Sequence, residues 1–200
     1  MKVGQILSYF DGVLPDEAQR AFQVLQRGGE PVALHVMLEV LEDALGGGVD
    51  SLFEGFDETP VASASIGQVY RATFNGEPVA VKIQYPKIRE TMEADFGRLR
   101  RISKIASLAT AVDGLAITND LRERVIAECD YVLEATNQRA FSHAFAADPQ
   151  VRIPAVVSER STDRVLTTEW CDGRDFYTFC EQSSPEERQK AACTLMRFAY

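Results

Sequence analysis

The dipeptide Asn75-Gly76 stands between two apolar runs, Gln68-Val69-Tyr70-Arg71-Ala72-Thr73-Phe74 and Pro78-Val79-Ala80-Val81-Lys82-Ile83. Both central positions of a two-residue hairpin turn need positive φ, which Asn and Gly adopt at least cost. The segment therefore predicts an antiparallel hairpin inside a strand region over residues 61–84. A purely helical protein is excluded.

Helical spacing surrounds that hairpin. Val3, Ile6, Leu7 and Phe10 mark a first helix, and a turn at Leu14-Pro15-Asp16 opens a second with Val24 and Leu25 on its apolar stripe. A third, opened near Pro31, carries Leu34, Met37, Leu38 and Leu41 and stops at Gly46-Gly47-Gly48. After Tyr85-Pro86 the helical period returns through about residue 108, and a further long helix is expected over 119–146. Short strands are expected at 152–157 and 164–168, and a last helix opens at Pro185-Glu186-Glu187. That pattern is still running at Tyr200, so more chain is expected beyond it. The reading is an α+β fold in three parts: a helical extension (1–55), a sheet-bearing lobe (56–173) and the start of a helical lobe (174–200).

Composition narrows the function. A hydrophobic fraction of 46% with 26% charged residues is that of an ordinary globular chain, not a disordered one. A net charge of −9 argues against a nucleic-acid surface, which needs clustered Lys and Arg. The basic run Arg98-Leu99-Arg100-Arg101 with Lys104 reads as a solvated helix face. Cys129, Cys171, Cys180 and Cys193 lack metal or disulfide spacing and suit a reducing cytosol. His35 and His143 have no metal-spaced partner and read as structural. No signal-peptide pattern opens the chain, and no stretch nears the ~20 apolar residues of a membrane helix. Docking on a membrane surface stays compatible with all of this.

Chemistry concentrates in Pro60-Val61-Ala62-Ser63-Ala64-Ser65-Ile66-Gly67-Gln68-Val69-Tyr70, followed by Val79-Ala80-Val81-Lys82. A turn of tiny residues between strands lets backbone N–H groups approach a polyphosphate, and a lysine ending the next strand can reach the same phosphates. Val69 and Ala80 would suit the two walls of an adenine slot. Such a lysine needs a carboxylate presented from a packed helix. Glu128, Asp130 and Glu134 are the candidates, and Asp130, Glu134 and Asn137 fall on one helical face at i, i+4 and i+7. A solvated acidic stripe is the competing reading of that face.

Taken together these segments resemble the UbiB/AarF family of atypical protein-kinase-like proteins. Lys2-x-Gly4-Gln5 is similar to that family's KxGQ signature, and Ala62-Ser63-Ala64-Ser65 to its alanine-rich loop. Val79-Ala80-Val81-Lys82 is similar to its nucleotide-lysine strand, Glu128-x-Asp130 to its ExD motif, and Glu134-Ala135-x-Asn137 to the segment supplying the lysine's partner. The run from Leu166 to Gly173 looks like the strand and hinge that hold adenine by backbone hydrogen bonds. The resemblance implies a protein-kinase-like N-lobe behind a KxGQ extension. It implies a catalytic pair, Lys82 and Glu134, and a nucleotide site of Val61, Ala62, Ser63, Ala64, Ser65, Ile66, Val69, Ala80 and Lys82 with Glu169 and Cys171 of the hinge. It also implies a gating set of Lys2, Gln5, Glu128 and Asp130.

The implied cofactor is ATP with magnesium, the implied work an atypical kinase or ATPase activity in isoprenoid-quinone or lipid metabolism. A lipid or quinone precursor or a membrane surface is the implied partner, and a cytoplasmic, peripheral-membrane location fits it. The family's catalytic aspartate, magnesium-binding asparagine and DFG aspartate should follow the hinge, so metal ligands are expected beyond residue 200 and none within this chain. Asp148-Pro149-Gln150 imitates the first of these segments but precedes the hinge, and reads as a loop. The alternative is a catalytically inactive nucleotide-binding pseudokinase or scaffold.

Overall fold

The computed structural model describes residues 32–64, 66–107 and 114–199. The helices expected before residue 32, with Lys2 and Gln5, lie outside the described residues, as does Ser65.

The hairpin forms as the turn chemistry requires. Strands β3 (Gly67–Phe74) and β4 (Glu77–Gln84) pair antiparallel from Gly67↔Gln84 to Phe74↔Glu77. Asn75 and Gly76 connect them with φ of 54° and 76°. Two short strands, β1 (Gly55–Phe56) and β2 (Ala62–Ser63), line the outer edge of β3, and β5 (Val165–Glu169) lies antiparallel along the other side of β4. The result is an α+β fold built on a five-stranded antiparallel sheet, as in a kinase N-lobe.

Alternation along the strands divides the sheet into two faces. Tyr70, Ala72, Val79, Val81, Ile83 and Val165 point to one face and are buried against Met37, Val40 and Leu41 of α1 (Leu34–Leu45). Leu52 of α2 (Val49–Leu52) and Phe53 join the same cluster. Burying a side chain of this size stabilises by about 1.5–3 kcal/mol, so the stripe at Met37 and Leu41 fixes where α1 lies. Residues 34–53 therefore share one core with the sheet.

The opposite face carries α5 (Tyr131–Ala144), which follows a packed pair of helices, α3 (Ile88–Ser107) and α4 (Gly114–Glu128). Tyr131 and Ala135 of α5 pack there with Ile66, Cys129 and Leu166, and Ile88 and Met92 close the edge of the cluster. The single helix expected over 119–146 is thus two. The Asp130 carboxylate accepts the Leu133 N–H at 3.0 Å and caps α5, while the Cys129 carbonyl accepts the Gln84 side-chain amide at 3.0 Å. A short acidic side chain that competes for backbone N–H groups ends one helix and starts the next. The Asp130 side chain is consequently committed to the first turn of α5, one turn before Glu134.

The strand expected at 152–157 reduces to one bridge, Val156↔Thr168, flanked by Val157 N–H to Thr167 O (2.9 Å) and Glu169 N–H to Ala155 O (2.8 Å). Beyond β5, Asp175 caps α6 (Phe176–Gln182), and a reciprocal Ser184–Glu187 capping box opens α7 (Pro185–Ala199). Among the described residues no helix is long and apolar enough to cross a membrane.

Candidate functional site

Strand register assembles the site. Ala62, Val69, Lys82 and Leu166 are paired in one row across β2, β3, β4 and β5. Directly paired residues share a face, here the face covered by α5. The neighbouring row is Arg71, Ala80 and Thr168. Beyond it, the Trp170 N–H donates to the Pro78 carbonyl at 3.1 Å, and the Arg71 guanidinium stacks 5.0 Å from the Trp170 ring. Val69 and Ala80 are half-buried and diagonal to each other, so between Lys82 and the Arg71–Trp170 stack the sheet offers a floor of small and β-branched side chains.

Lys82 is held from α5. Its ammonium donates to both oxygens of Glu134 at 2.7 Å and lies 4.5 Å from the centre of the Tyr131 ring. Tyr131 and Glu134 are i and i+3 on α5, so one helical turn provides both the anion and the aromatic face. The lysine side chain is 22% exposed and Glu134 38%, so the pair is open to solvent on one side. An ammonium has three donors; two go to Glu134, which leaves one for a further acceptor. Tyr131 is fully buried, and burial, helped by the Glu134 charge, raises its phenol far above the ordinary range.

The acids weighed as partners for the lysine separate. Glu134 makes the ion pair. Glu128 ends α4 and lines, with Arg124, Ala127, Leu133, Glu134 and Asn137, a cavity of about 330 Å³ beside it. Asp130 spends one carboxylate oxygen on the α5 cap.

The other expected residues fall around this centre. Val61, Ala62 and Ser63 are exposed on the sheet edge, Ala64 is half-buried, and Ile66 is buried under α5. The Ala64 N–H is bonded to the Gly67 carbonyl at 2.7 Å and the Val61 N–H to the Val69 carbonyl at 2.8 Å, so those donors serve the turn itself. Glu169 pairs with Val79, which puts its side chain on the face opposite Lys82, where its carboxylate is engaged by Arg152. Only its backbone can face the slot. Cys171 is exposed just beyond, next to a Trp170 Nε1–H donating to Asp172 at 2.8 Å.

Three residues of the site escaped the sequence reading. Tyr131 sits three before Glu134, a spacing that could have marked it. Gly67 has no room for a side chain, since a Cβ there would stand 2.1 Å from the Ile83 carbonyl oxygen. Gln84 donates to the carbonyls of Cys129 and Asp163, both at 3.0 Å, and ties the α4–α5 junction to the sheet. Nothing in its sequence context signals this.

The chain resembles known proteins over most of its length. A family model described as the ABC1 atypical kinase-like domain matches residues 24–198. The atypical kinase COQ8B, mitochondrial, of Rattus norvegicus is 33% identical over 98% of this chain and 38% of its own length. The atypical kinase COQ8, mitochondrial, of Saccharomyces cerevisiae is 31% identical over 98% of the chain and 40% of its own. Among solved structures, that of the Rv3197–erythromycin complex from Mycobacterium tuberculosis superposes with a TM-score of 0.70 at 37% identity, covering 94% of this chain and 48% of that one. The chain thus spans less than half the length of these relatives.

Proposed function

The chain belongs to the ABC1 atypical kinase-like family, and on that premise we propose that it forms the ATP-binding lobe of an atypical kinase or ATPase. The observation that carries the reading is the Lys82–Glu134 ion pair at 2.7 Å, set in the row that also holds Ala62 and Val69. The adenine base lies against Val69 and Ala80, with hydrogen bonds from the hinge backbone at Glu169 and Cys171. The third Lys82 donor takes a phosphate oxygen, and Glu134 keeps the ammonium aimed while the alanine-rich turn 61–66 closes over the phosphates. Lys2, Gln5, Glu128 and Asp130 gate the opening beside α5. The stretch 1–55 serves as the gating extension, 56–173 as the nucleotide lobe and 174–200 as the start of the second lobe.

Magnesium bound with the nucleotide would neutralise charge developing on the phosphates. Among the described residues no group of three or more His, Cys, Asp or Glu could hold a metal. The whole protein acts in isoprenoid-quinone or other lipid chemistry, with a lipid precursor or a membrane surface as the partner.

The test is ADP titration of the full-length protein and its Lys82→Met and Glu134→Gln variants by calorimetry. Affinity is expected to fall about tenfold or more for Lys82→Met, and stability by less than about 1 kcal/mol, the worth of a solvent-facing pair. Unchanged affinity in both variants would remove the assignment. Residues 1–200 alone are expected to bind adenine nucleotide weakly and to show no turnover; hydrolysis that Lys82→Met abolishes would contradict this.

A further inference from the structure

We infer that Tyr131 is a positioning residue for Lys82, acting through the face of its ring and not through its hydroxyl. The inference rests on the nucleotide role proposed for Lys82 and deepens it.

Two observations carry it. The Lys82 ammonium lies 4.5 Å from the ring centre, inside the range where a cation is attracted to an aromatic face. The ring is fully buried, yet among the described residues its hydroxyl has no hydrogen-bond partner. A buried phenol is ordinarily bonded, and an orphaned one is costly. Among the described residues the hydroxyl therefore makes no bond that would select this residue, whereas the ring meets the ammonium.

The geometry gives the ring a task that Glu134 cannot perform. Glu134 holds two of the three ammonium donors from one side and is itself more than a third exposed. Held only by that carboxylate, the four-carbon stem could swing with it. The ring adds a second point of attachment without using a donor, because the attraction to a π face is electrostatic and needs no particular N–H direction. The ammonium is fixed in place and one N–H stays open toward the row of Val69 and Ala62. Ordering a free lysine on binding costs side-chain entropy, which this arrangement meets in advance. Asp130 reinforces it, since the turn it caps carries both Tyr131 and Glu134.

The experiment uses the full-length protein with ADP as the probe. Tyr131→Phe should bind ADP as the parent does. Tyr131→Leu should bind about two- to thirtyfold more weakly, the span expected for loss of one cation–ring contact. Because Tyr131→Leu opens a buried site and can fail to fold, the decisive series replaces Tyr131 by phenylalanine bearing one, two and three ring fluorines. These conserve shape while draining the ring face of negative potential, and ADP affinity should fall stepwise with each fluorine. A flat series, or loss of affinity in Tyr131→Phe, overturns the inference.

An independent readout needs no nucleotide. The Lys82 ε-methylene protons, assigned by their loss in Lys82→Arg, should resonate upfield under the ring current. They should stay so in Tyr131→Phe; an unshifted signal in the parent also overturns the inference. If the parent fails to bind ADP while the upfield shift is present, the nucleotide reading fails and the ring contact stands.

Discussion

The Asp130 carboxylate accepts the Leu133 N–H at 3.0 Å, so a residue between two helices fixes the first turn of the helix that holds Lys82. Loss of such a cap typically costs about 0.5–2 kcal/mol, whereas Asn caps as well as Asp. Asp130→Ala should therefore lower the unfolding free energy read from urea melts by that amount and weaken ADP binding with it, because Tyr131 and Glu134 share the loosened turn. Asp130→Asn should keep the stability of the parent. Equal loss in both variants would show that the charge, and not the cap, carries the effect.

Gly67 and Gly97 should respond in opposite senses to the same change. A methyl at Gly67 meets the Ile83 carbonyl oxygen at 2.1 Å, and that backbone is locked in the β3–β4 ladder. Gly67→Ala should cost about 3 kcal/mol or more, as for a severe overpacking. Gly97 lies inside α3 with nothing within 4 Å of a built Cβ, so Gly97→Ala should stabilise by about 0.5–1 kcal/mol through helix propensity. Thermal melts of the two variants decide it; a tolerated Gly67→Ala would contradict the register given for the hairpin.

Alkali should unfold the protein partly through Tyr131. Burial first, and the Glu134 charge second, raise its phenol above the ordinary 10.0, so the folded state holds the proton more tightly than the unfolded chain. The contribution is fully present below pH 10 and is lost as pH climbs above it toward the folded-state value. Burial raises Tyr70 and Tyr85 in the same direction, so the loss is shared. Tyr131→Phe should make the fall in stability above pH 10 shallower, read from denaturant melts across an alkaline series. Identical slopes for parent and variant would exclude Tyr131 from the effect.

The turn residues can be separated from the core by Ala62→Gly and Ala64→Gly in the full-length protein. Glycine frees φ and lets the turn close further, which should alter the preference between ATP and ADP. The stability cost should stay within about 0.5–1 kcal/mol. Unaltered nucleotide affinity combined with a lower melting temperature would leave these alanines as packing residues alone.

The hairpin was legible because two neighbouring residues tolerant of positive φ leave the chain few other choices. The α1 stripe was legible because Met37 and Leu41 are spaced for one buried face. The division at Cys129–Asp130 was not, since helical periodicity continues across it and the break depends on a capping bond and on Gln84, remote in sequence. Lys82 was legible as a motif; which of three acids would meet it depended on that same break, which commits the Asp130 carboxylate to a cap and leaves Glu134 in reach. Tyr131 went unread because an aromatic at that spacing looks like any core residue until a cation is found above it. The 152–157 segment was over-read: only Val156 bridges, to Thr168.

The Gln84 side chain has a mechanical consequence. One amide nitrogen serves the carbonyls of Cys129 and Asp163, and it sits at the end of β4 whose earlier residue is Lys82. The start of α5 and the chain entering β5 are therefore bolted to the strand that bears the lysine. A helix hinged this way cannot swing outward from its first turn to part Lys82 from Glu134 without surrendering the bond at Cys129. Slow amide exchange should accordingly extend as one block from β4 through the first turn of α5, with the fraying confined to the far end near Ala144.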